Sequence, residues 1–288
     1  MTLIAVSKYH AYGNDFLVLR SREVPVDRRG EWTRLLCRRH EGIGADGCVF
    51  VAPREDGAWD FRIFNQDGGE AEMSGNGLRC AAAFLAHRGL VAGEVVRFAT
   101  AAGPRAAELV AARYPEWSFR SEMGRPSFAP ADLPYTGPFR PGPGGVALAD
   151  LEVPGGRLEV TLVSVGNPQA VIFVDRLPDE TAYRRWGEAI AGHPGFPRQT
   201  NVSFVRVADR HALDILIWER GVGPTTSSGT GCTGAAVAAL ARGKVESPVE
   251  VRAPGGAQEV TWRPGESAYL TGWVRFVMDG YWEVAGSE

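Results

Sequence analysis

The same passage is written twice in this chain of 288 residues. FNQDGGEAEMSGNGLRCAAAFLAHRGL runs from Phe64 to Leu90, and WERGVGPTTSSGTGCTGAAVAALARGK from Trp218 to Lys244. Setting Ser74 on Ser228 aligns an S-G-x-G turn, an alanine-rich run of helical character, and Arg88-Gly89 with Arg242-Gly243. Nine residues before the serines, Asn65 falls on Glu219, each behind a short apolar run, FRIF and ILIW. Gly13-Asn14 and Gly166-Asn167 stand at almost the same separation. A period of half the chain is too long for a solenoid unit and signals duplication of a whole domain. The chain has the length for two domains of ordinary size.

Each half reads as the same series of elements. LIAVSKYHAYGNDFLVLR predicts strand, glycine turn, strand with Asn14 at the turn, and GRLEVTLVSVGNPQAVIFV repeats this with Asn167. GEWTRLLCRRH and AYRRWGEAIAGH have the spacing of short amphipathic helices. DFRIFNQDG is a strand ending in a turn at Asn65, and the helix after it starts near Gly75 to Gly77 and stops at Gly89. EVVRFAT and RAAELVAARY read as short strands, and the Pro- and Gly-rich FAPADLPYTGPFRPGPGG as the end of the first domain and a linker. Strands then recur in TNVSFVRV, ALDILIWERG, PVEVRAP, GAQEVTWRPG and SAYLTGWVRFVMDGYWEV. Many strands and few helices predict an α+β fold of two similar, pseudo-symmetric domains, each a mixed or antiparallel sheet wrapped around a central helix. The expected domains are 1–125, completed by the C-terminal strand 272–288, and 126–271, with an active cleft between them.

Bulk chemistry narrows the partners. With 44% apolar and 23% charged residues the chain has the make-up of a soluble globular protein. A net charge of −3 without a basic run argues against nucleic acid, and no stretch reaches the length of a membrane span. The N-terminus lacks the charged start and apolar core of a signal peptide. Cys37, Cys48, Cys80 and Cys232 show no CxxC or zinc spacing, which predicts reduced thiols, a cytoplasmic setting and no metal. Asp67, Glu70 and Glu72 suit the capping of a loop better than a metal site, and His10 and His40 read as satisfied or exposed histidines. A homodimer is expected on general grounds alone.

A helix N-terminus leaves about four N–H groups unpartnered and carries roughly half a positive charge. Glycines there let an anion approach the backbone. One glycine-rich cap is commonplace on a core helix. Two copies, each with a serine at the mouth and a polar residue at the Asn65 or Glu219 position, point to a ligand site. An amino acid suits it, its α-carboxylate on the backbone N–H groups and its α-carbon between Ser74 and Ser228.

YGNDFLVL, GIGADG, FNQDGGEAEMSGNGLRC, GNPQ, TNVSFV and ERGVGPTTSSGTG, in this order from near Met1 to about Leu270, resemble the diaminopimelate epimerase family. The resemblance implies an isomerase of lysine and peptidoglycan synthesis without PLP, metal or other cofactor. It further implies two similar domains closing on a small-molecule amino-acid substrate, diaminopimelate. In that family two cysteines at helix N-termini form an acid/base pair, helix termini lowering thiol pKa. Ser74 and Ser228 stand at those positions. Gln169 stands where the family usually has a histidine, and Gly47 where some members have a glutamine. The resemblance assigns substrate binding to Asn14, Asn65, Asn167 and Asn201. It assigns a backbone cradle to Gly75, Asn76, Gly229 and Thr230, and recognition of the distal amino-acid end to Glu219 and Arg220. Cys80 and Cys232 lie inside the helices and read as small core groups.

The serines leave three readings open. The first is a diaminopimelate-epimerase-like enzyme converting the LL to the meso form, with Ser74, Ser228, Gln169 and Glu219 as the catalytic set, Glu219 or a water serving as base. The second is an isomerase of the phenazine-biosynthesis type, working through a carboxylate. The third is an amino-acid-binding protein without turnover, or a chain whose two cysteines were replaced to trap ligand.

Overall fold

The duplication shows in how the strands pair. The computed structural model describes residues 2–284. Its first compact unit is Met1–Ser121 with Gly272–Glu288, and its second Glu122–Thr271. The expected ranges 1–125 and 272–288 include residues 1 and 285–288, which lie outside the described residues. In chain order come β1 (Thr2–Ala11), β2 (Asn14–Arg20), α1 (Arg29–Cys37), β3 (Gly47–Pro53) and β4 (Trp59–Asn65). Next are β5 (Glu70–Ala71), α2 (Gly75–His87), β6 (Val95–Thr100), β7 (Gly103–Arg113) and β8 (Glu116–Gly124). Then follow β9 (Arg140–Pro141), β10 (Ala147–Val153), β11 (Gly156–Ser164), β12 (Pro168–Phe173), α3 (Glu180–Ala191) and β13 (Asn201–Asp209). The chain continues through β14 (Ala212–Glu219), β15 (Gly223–Thr225), α4 (Gly229–Ala241), β16 (Val249–Ala253), β17 (Gly256–Thr261) and β18 (Ala268–Val284).

In the first unit β1–β2 is antiparallel, β2–β3 parallel, β3–β4 antiparallel, β4–β6 parallel, and β6–β7 and β7–β8 antiparallel. In the second the series β11, β12, β13, β14, β16, β17, β18 takes the same steps in the same order. β18 pairs with both β1 and β8, so the first series returns to its start as a barrel. In the second unit β10 lies antiparallel along β11, and Ser127 bridges Ser164 at the end of β11.

The inner faces of the strands close on a central helix. Phe16, Val18, Val49, Val51, Phe61 and Phe98 pack with Leu78, Cys80 and the Ala81–Ala83 run of α2. Val163, Val171, Val205, Ile215 and Val251 do the same around Cys232 and Ala235–Ala239 of α4. A helix walled on every side must be apolar on every side, which is why both runs are rich in alanine. Outward residues of the same strands meet a second helix: Leu17, Leu19 and Phe50 meet Trp32 and Leu36 of α1, and Ala170, Ile172 and Phe204 meet Tyr183 and Ile190 of α3. Strands covered on both faces read as continuous apolar runs, as in β2 and β3. Both central helices stop alike. Gly89 at φ +62 and Gly243 at φ +64 take the left-handed turn, and the N–H groups of Leu90 and Lys244 close back on Leu85 and Ala239 at 2.9 Å.

Three readings need correction. The Pro- and Gly-rich passage is not a linker but part of the second unit: Leu133 is buried in the α3 cluster and Tyr135 packs on Phe196, ring centroids 4.9 Å apart. β8 and β10 are strands that the sequence expectation lacked, and RAAELVAARY belongs to an 11-residue strand rather than a short one. β10 alternates buried and exposed residues only in its second half, so its period is short and easily overlooked.

Candidate functional site

Ser74 is the N-cap of α2 and Ser228 the N-cap of α4, with nearly the same backbone, φ −138, ψ 126 and φ −143, ψ 123. Each hydroxyl accepts the N–H three residues on, Gly77 at 3.1 Å and Gly231 at 3.2 Å. Neither helix has an acidic residue in its first turn to neutralise the positive end. Ser74 is half-buried and Ser228 buried.

Beside the first mouth, Asn76 on the first turn of α2 donates from Nδ2 to Oδ1 of Asn14 at 3.1 Å. Asn14 in turn donates to the Asp46 carboxylate at 2.7 Å, and Asp46 also accepts the Asp15 N–H at 3.1 Å and Arg39 at 2.7 Å. On the helix side, the Arg79 guanidinium, fully buried, donates to Asn76 Oδ1 and lies over the Tyr12 ring. Asp15 is buried and paired with both Lys8 and Arg39 at 2.9 Å. Burial pushes the Asp15 carboxyl up, but hydrogen bonds and charge from Arg39 and Lys8 outweigh it and hold it below the usual carboxylate range.

Beside the second mouth, Asn167 occupies the turn that Asn14 occupies in the first unit. It donates from Nδ2 to Thr230 Oγ1 at 3.2 Å and accepts from Gln169 Nε2 at 2.7 Å. Thr230 Oγ1 lies 3.5 Å from Ser228 Oγ. Gln169 pairs with Asn201 across the parallel β12–β13 ladder, and Asn201 Oδ1 accepts the Arg220 N–H at 3.0 Å. The Arg220 guanidinium reaches the Arg198 carbonyl at 3.2 Å, and half-buried Glu219 ends β14.

The structure therefore joins Asn14 to Asn76, and Gln169 and Asn167 to Thr230 and Ser228, while Asn201 meets Arg220. Asn65 stands apart at an exposed turn closed by its own carbonyl with the Gly68 N–H at 2.8 Å. That turn is held to α1 by Arg34 donating to the Asp67 carbonyl at 2.6 Å, and by a backbone contact in which a Cβ on Gly30 would lie 2.7 Å from the Gly68 carbonyl oxygen. Gly47 has no room for a glutamine: a Cβ there would come 2.5 Å from the Phe64 carbonyl oxygen. Cys80 and Cys232 are fully buried, and burial pushes the Cys80 thiol far up. Glu70 pairs with Arg62, and Asp67 accepts the Gly69 N–H at 2.8 Å.

Asp46, Asp15 and Arg39 are the network residues that reading the sequence for side-chain roles missed. The available signal was the D in GIGADG and the D in YGNDF, each next to a glycine turn. Backbone strain marks the same places. Among the described residues, the non-glycine positions at positive φ are Tyr12 at +57 and Gln199 at +59, two residues ahead of Asn14 and Asn201.

Duplicated strand wrapping around two serine-capped central helices defines the fold class, an α+β protein of two like units. A family model described as diaminopimelate epimerase matches residues 6–129 and 161–277, and the chain belongs to that family. It is thereby an isomerase. A diaminopimelate epimerase of Desulforudis audaxviator is 38% identical over 280 residues, which cover 96% of this chain and 98% of that one. The fold is shared with a phenazine biosynthesis protein of the PhzF family from Bacillus anthracis, TM-score 0.66 at 15% identity over 99% of this chain and 100% of that one. It is shared too with a hydroxyproline epimerase from Agrobacterium vitis, TM-score 0.65 at 18% identity over 97% and 92%. No helix among the described residues is long and apolar enough to cross a membrane.

Proposed function

We propose that the chain inverts the α-carbon of LL-2,6-diaminopimelate to the meso form, removing the proton from one face and delivering another to the opposite face. One proton-transfer group comes from each mouth, Ser74 and Ser228. The observation that carries this reading is the twin cap. Each serine Oγ already accepts one backbone N–H at the positive end of a helix, the arrangement that favours negative charge on the capping atom. The remaining N–H groups at Gly75, Asn76, Gly229 and Thr230 receive the α-carboxylate, and Asn14, Asn65, Asn167 and Asn201 hold the polar groups of the substrate. Glu219 takes the distal ammonium and Arg220 the distal carboxylate.

A hydroxyl is a much weaker acid than a thiol, so the serines transfer protons slowly, or a water takes the base role with the serines as positioning donors. The test is deuterium incorporation at the α-carbon of LL-diaminopimelate in D2O, followed by NMR, for this protein and for its Ser74→Cys/Ser228→Cys variant. Exchange by either supports the reading, and its absence from both, with no binding, overturns it. A second reading, an isomerase working through the Glu219 carboxylate, is favoured by the joint presence of Ser74, Ser228 and Gln169 where the family has its three titratable groups. Exchange that survives Ser74→Ala/Ser228→Ala but not Glu219→Gln would select it.

A further inference from the structure

Two chains of amides lie beside the helix mouths, and they end differently. In the first unit donation runs from Arg79 to Asn76, from Asn76 to Asn14 and from Asn14 to Asp46. A guanidinium can only donate and a carboxylate can only accept, so both ends impose one order on the two amides between them. In the second unit donation runs from Gln169 to Asn167 and from Asn167 to Thr230, whose hydroxyl and that of Ser228 can each donate to the other. Every group in this chain is neutral and carries both a donor and an acceptor.

Gln169 is 2% exposed, and its Oε1 is buried with no hydrogen-bond partner among the described residues. Its stem is clamped against α4, where a Cβ on Gly234 would lie 2.8 Å from Gln169 Cγ. Turning both amides over would reverse the direction of donation without losing a bond: Thr230 would donate to Asn167, and Asn167 to Gln169. The buried group left without a partner would then be the Gln169 NH2 instead of Oε1. The two orders therefore hold equal numbers of hydrogen bonds.

We propose that Gln169 is a positioning residue that lets the amide chain behind Ser228 run in either order, so that Thr230 meets the Ser228 hydroxyl as donor or as acceptor. This rests on the reading of Ser228 as a proton-transfer group. Such a group gives a proton in one direction of reaction and takes it in the other. A chain that reverses can follow both states, whereas the chain beside Ser74 is fixed at both ends.

The experiment is side-chain amide NMR of the 15N-labelled full chain without substrate, alongside kinetics of Gln169→Glu and Gln169→Met. In the parent protein the Asn167 and Gln169 NH2 signals should be broadened by exchange between two orders, while those of Asn14 and Asn76 stay sharp. The acceptor-only Gln169→Glu should narrow and shift the Asn167 signal, leaving Asn14 and Asn76 unmoved as evidence of an intact fold. Both variants should lower kcat for α-proton exchange by about tenfold, with KM changed less than about twofold. A sharp Asn167 signal that Gln169→Glu does not move overturns the inference even if proton exchange proceeds, as does an unchanged kcat in both variants. Exchange of substrate protons that fails while Asn167 reports both orders overturns the functional reading instead.

Discussion

At the head of α2, Ser74 caps a helix whose neighbouring asparagines are pinned between Arg79 and Asp46, with Arg39, Asp15 and Lys8 behind them. At the head of α4, Ser228 makes the same cap, but the residues beside it are Thr230, Asn167 and Gln169, none of them charged. What the two copies share is set by the backbone: a helix N-terminus, a capping hydroxyl and an asparagine on the facing turn. What differs is reached only through side chains beyond that turn. Duplication thus preserves the capped helix N-terminus, since strand order fixes it, and leaves the surrounding electrostatics free to diverge.

The largest expected effect comes from making both mouths more acidic together. Ser74→Cys/Ser228→Cys should raise α-proton exchange from LL-diaminopimelate by about 100-fold to 10,000-fold in the D2O assay, with each single change giving far less. Next, the charged and neutral networks can be set against each other. Asp46→Ala strips the acceptor from Asn14, the Asp15 N–H and Arg39, and should cost about 2–3 kcal/mol in urea unfolding. Gln169→Leu removes one neutral hydrogen bond and should cost about 1 kcal/mol. Equal losses would break the contrast between the units. The caps should behave alike, Ser74→Ala and Ser228→Ala each costing about 1 kcal/mol by the same measurement.

The smallest effect is one of pH. The Asp15 carboxyl is depressed in the folded chain by Arg39 and Lys8, so its stabilisation is fully present above the ordinary aspartate value of about 3.9. It is lost as pH falls through the lower folded value. Acid unfolding curves of the parent and Asp15→Asn should therefore converge at low pH and separate above about pH 4.

Much of this contrast was legible in the sequence, and the rest was hidden for physical reasons. The S-G-N-G and S-G-T-G turns announced both mouths because capping is local and its residues are adjacent in the chain. The paired Gly13-Asn14 and Gly166-Asn167 turns were legible for the same reason. Arg39 and Asp46 were not, because their partners Asp15 and Asn14 come from a strand that is distant in sequence and brought alongside only by the parallel β2–β3 pairing. The role of 128–145 is hidden because its prolines and glycines look like a linker, while only tertiary packing on Phe196 shows that Leu133 and Tyr135 belong to a core. Gln169 was singled out through family resemblance, yet that it faces Asn167 and leaves Oε1 buried without a partner follows from packing alone.

The central claim, that each serine sits where the fold favours negative charge, is tested most directly by placing a thiol there. Ser74→Cys and Ser228→Cys, made singly, should be titrated by iodoacetamide alkylation rate against pH, without substrate. The four native cysteines are all buried, so the new thiol dominates the signal. Both thiols should titrate below about 7.5, against about 8.5 for an unperturbed cysteine. A value at or above about 8.5 at either mouth would contradict it.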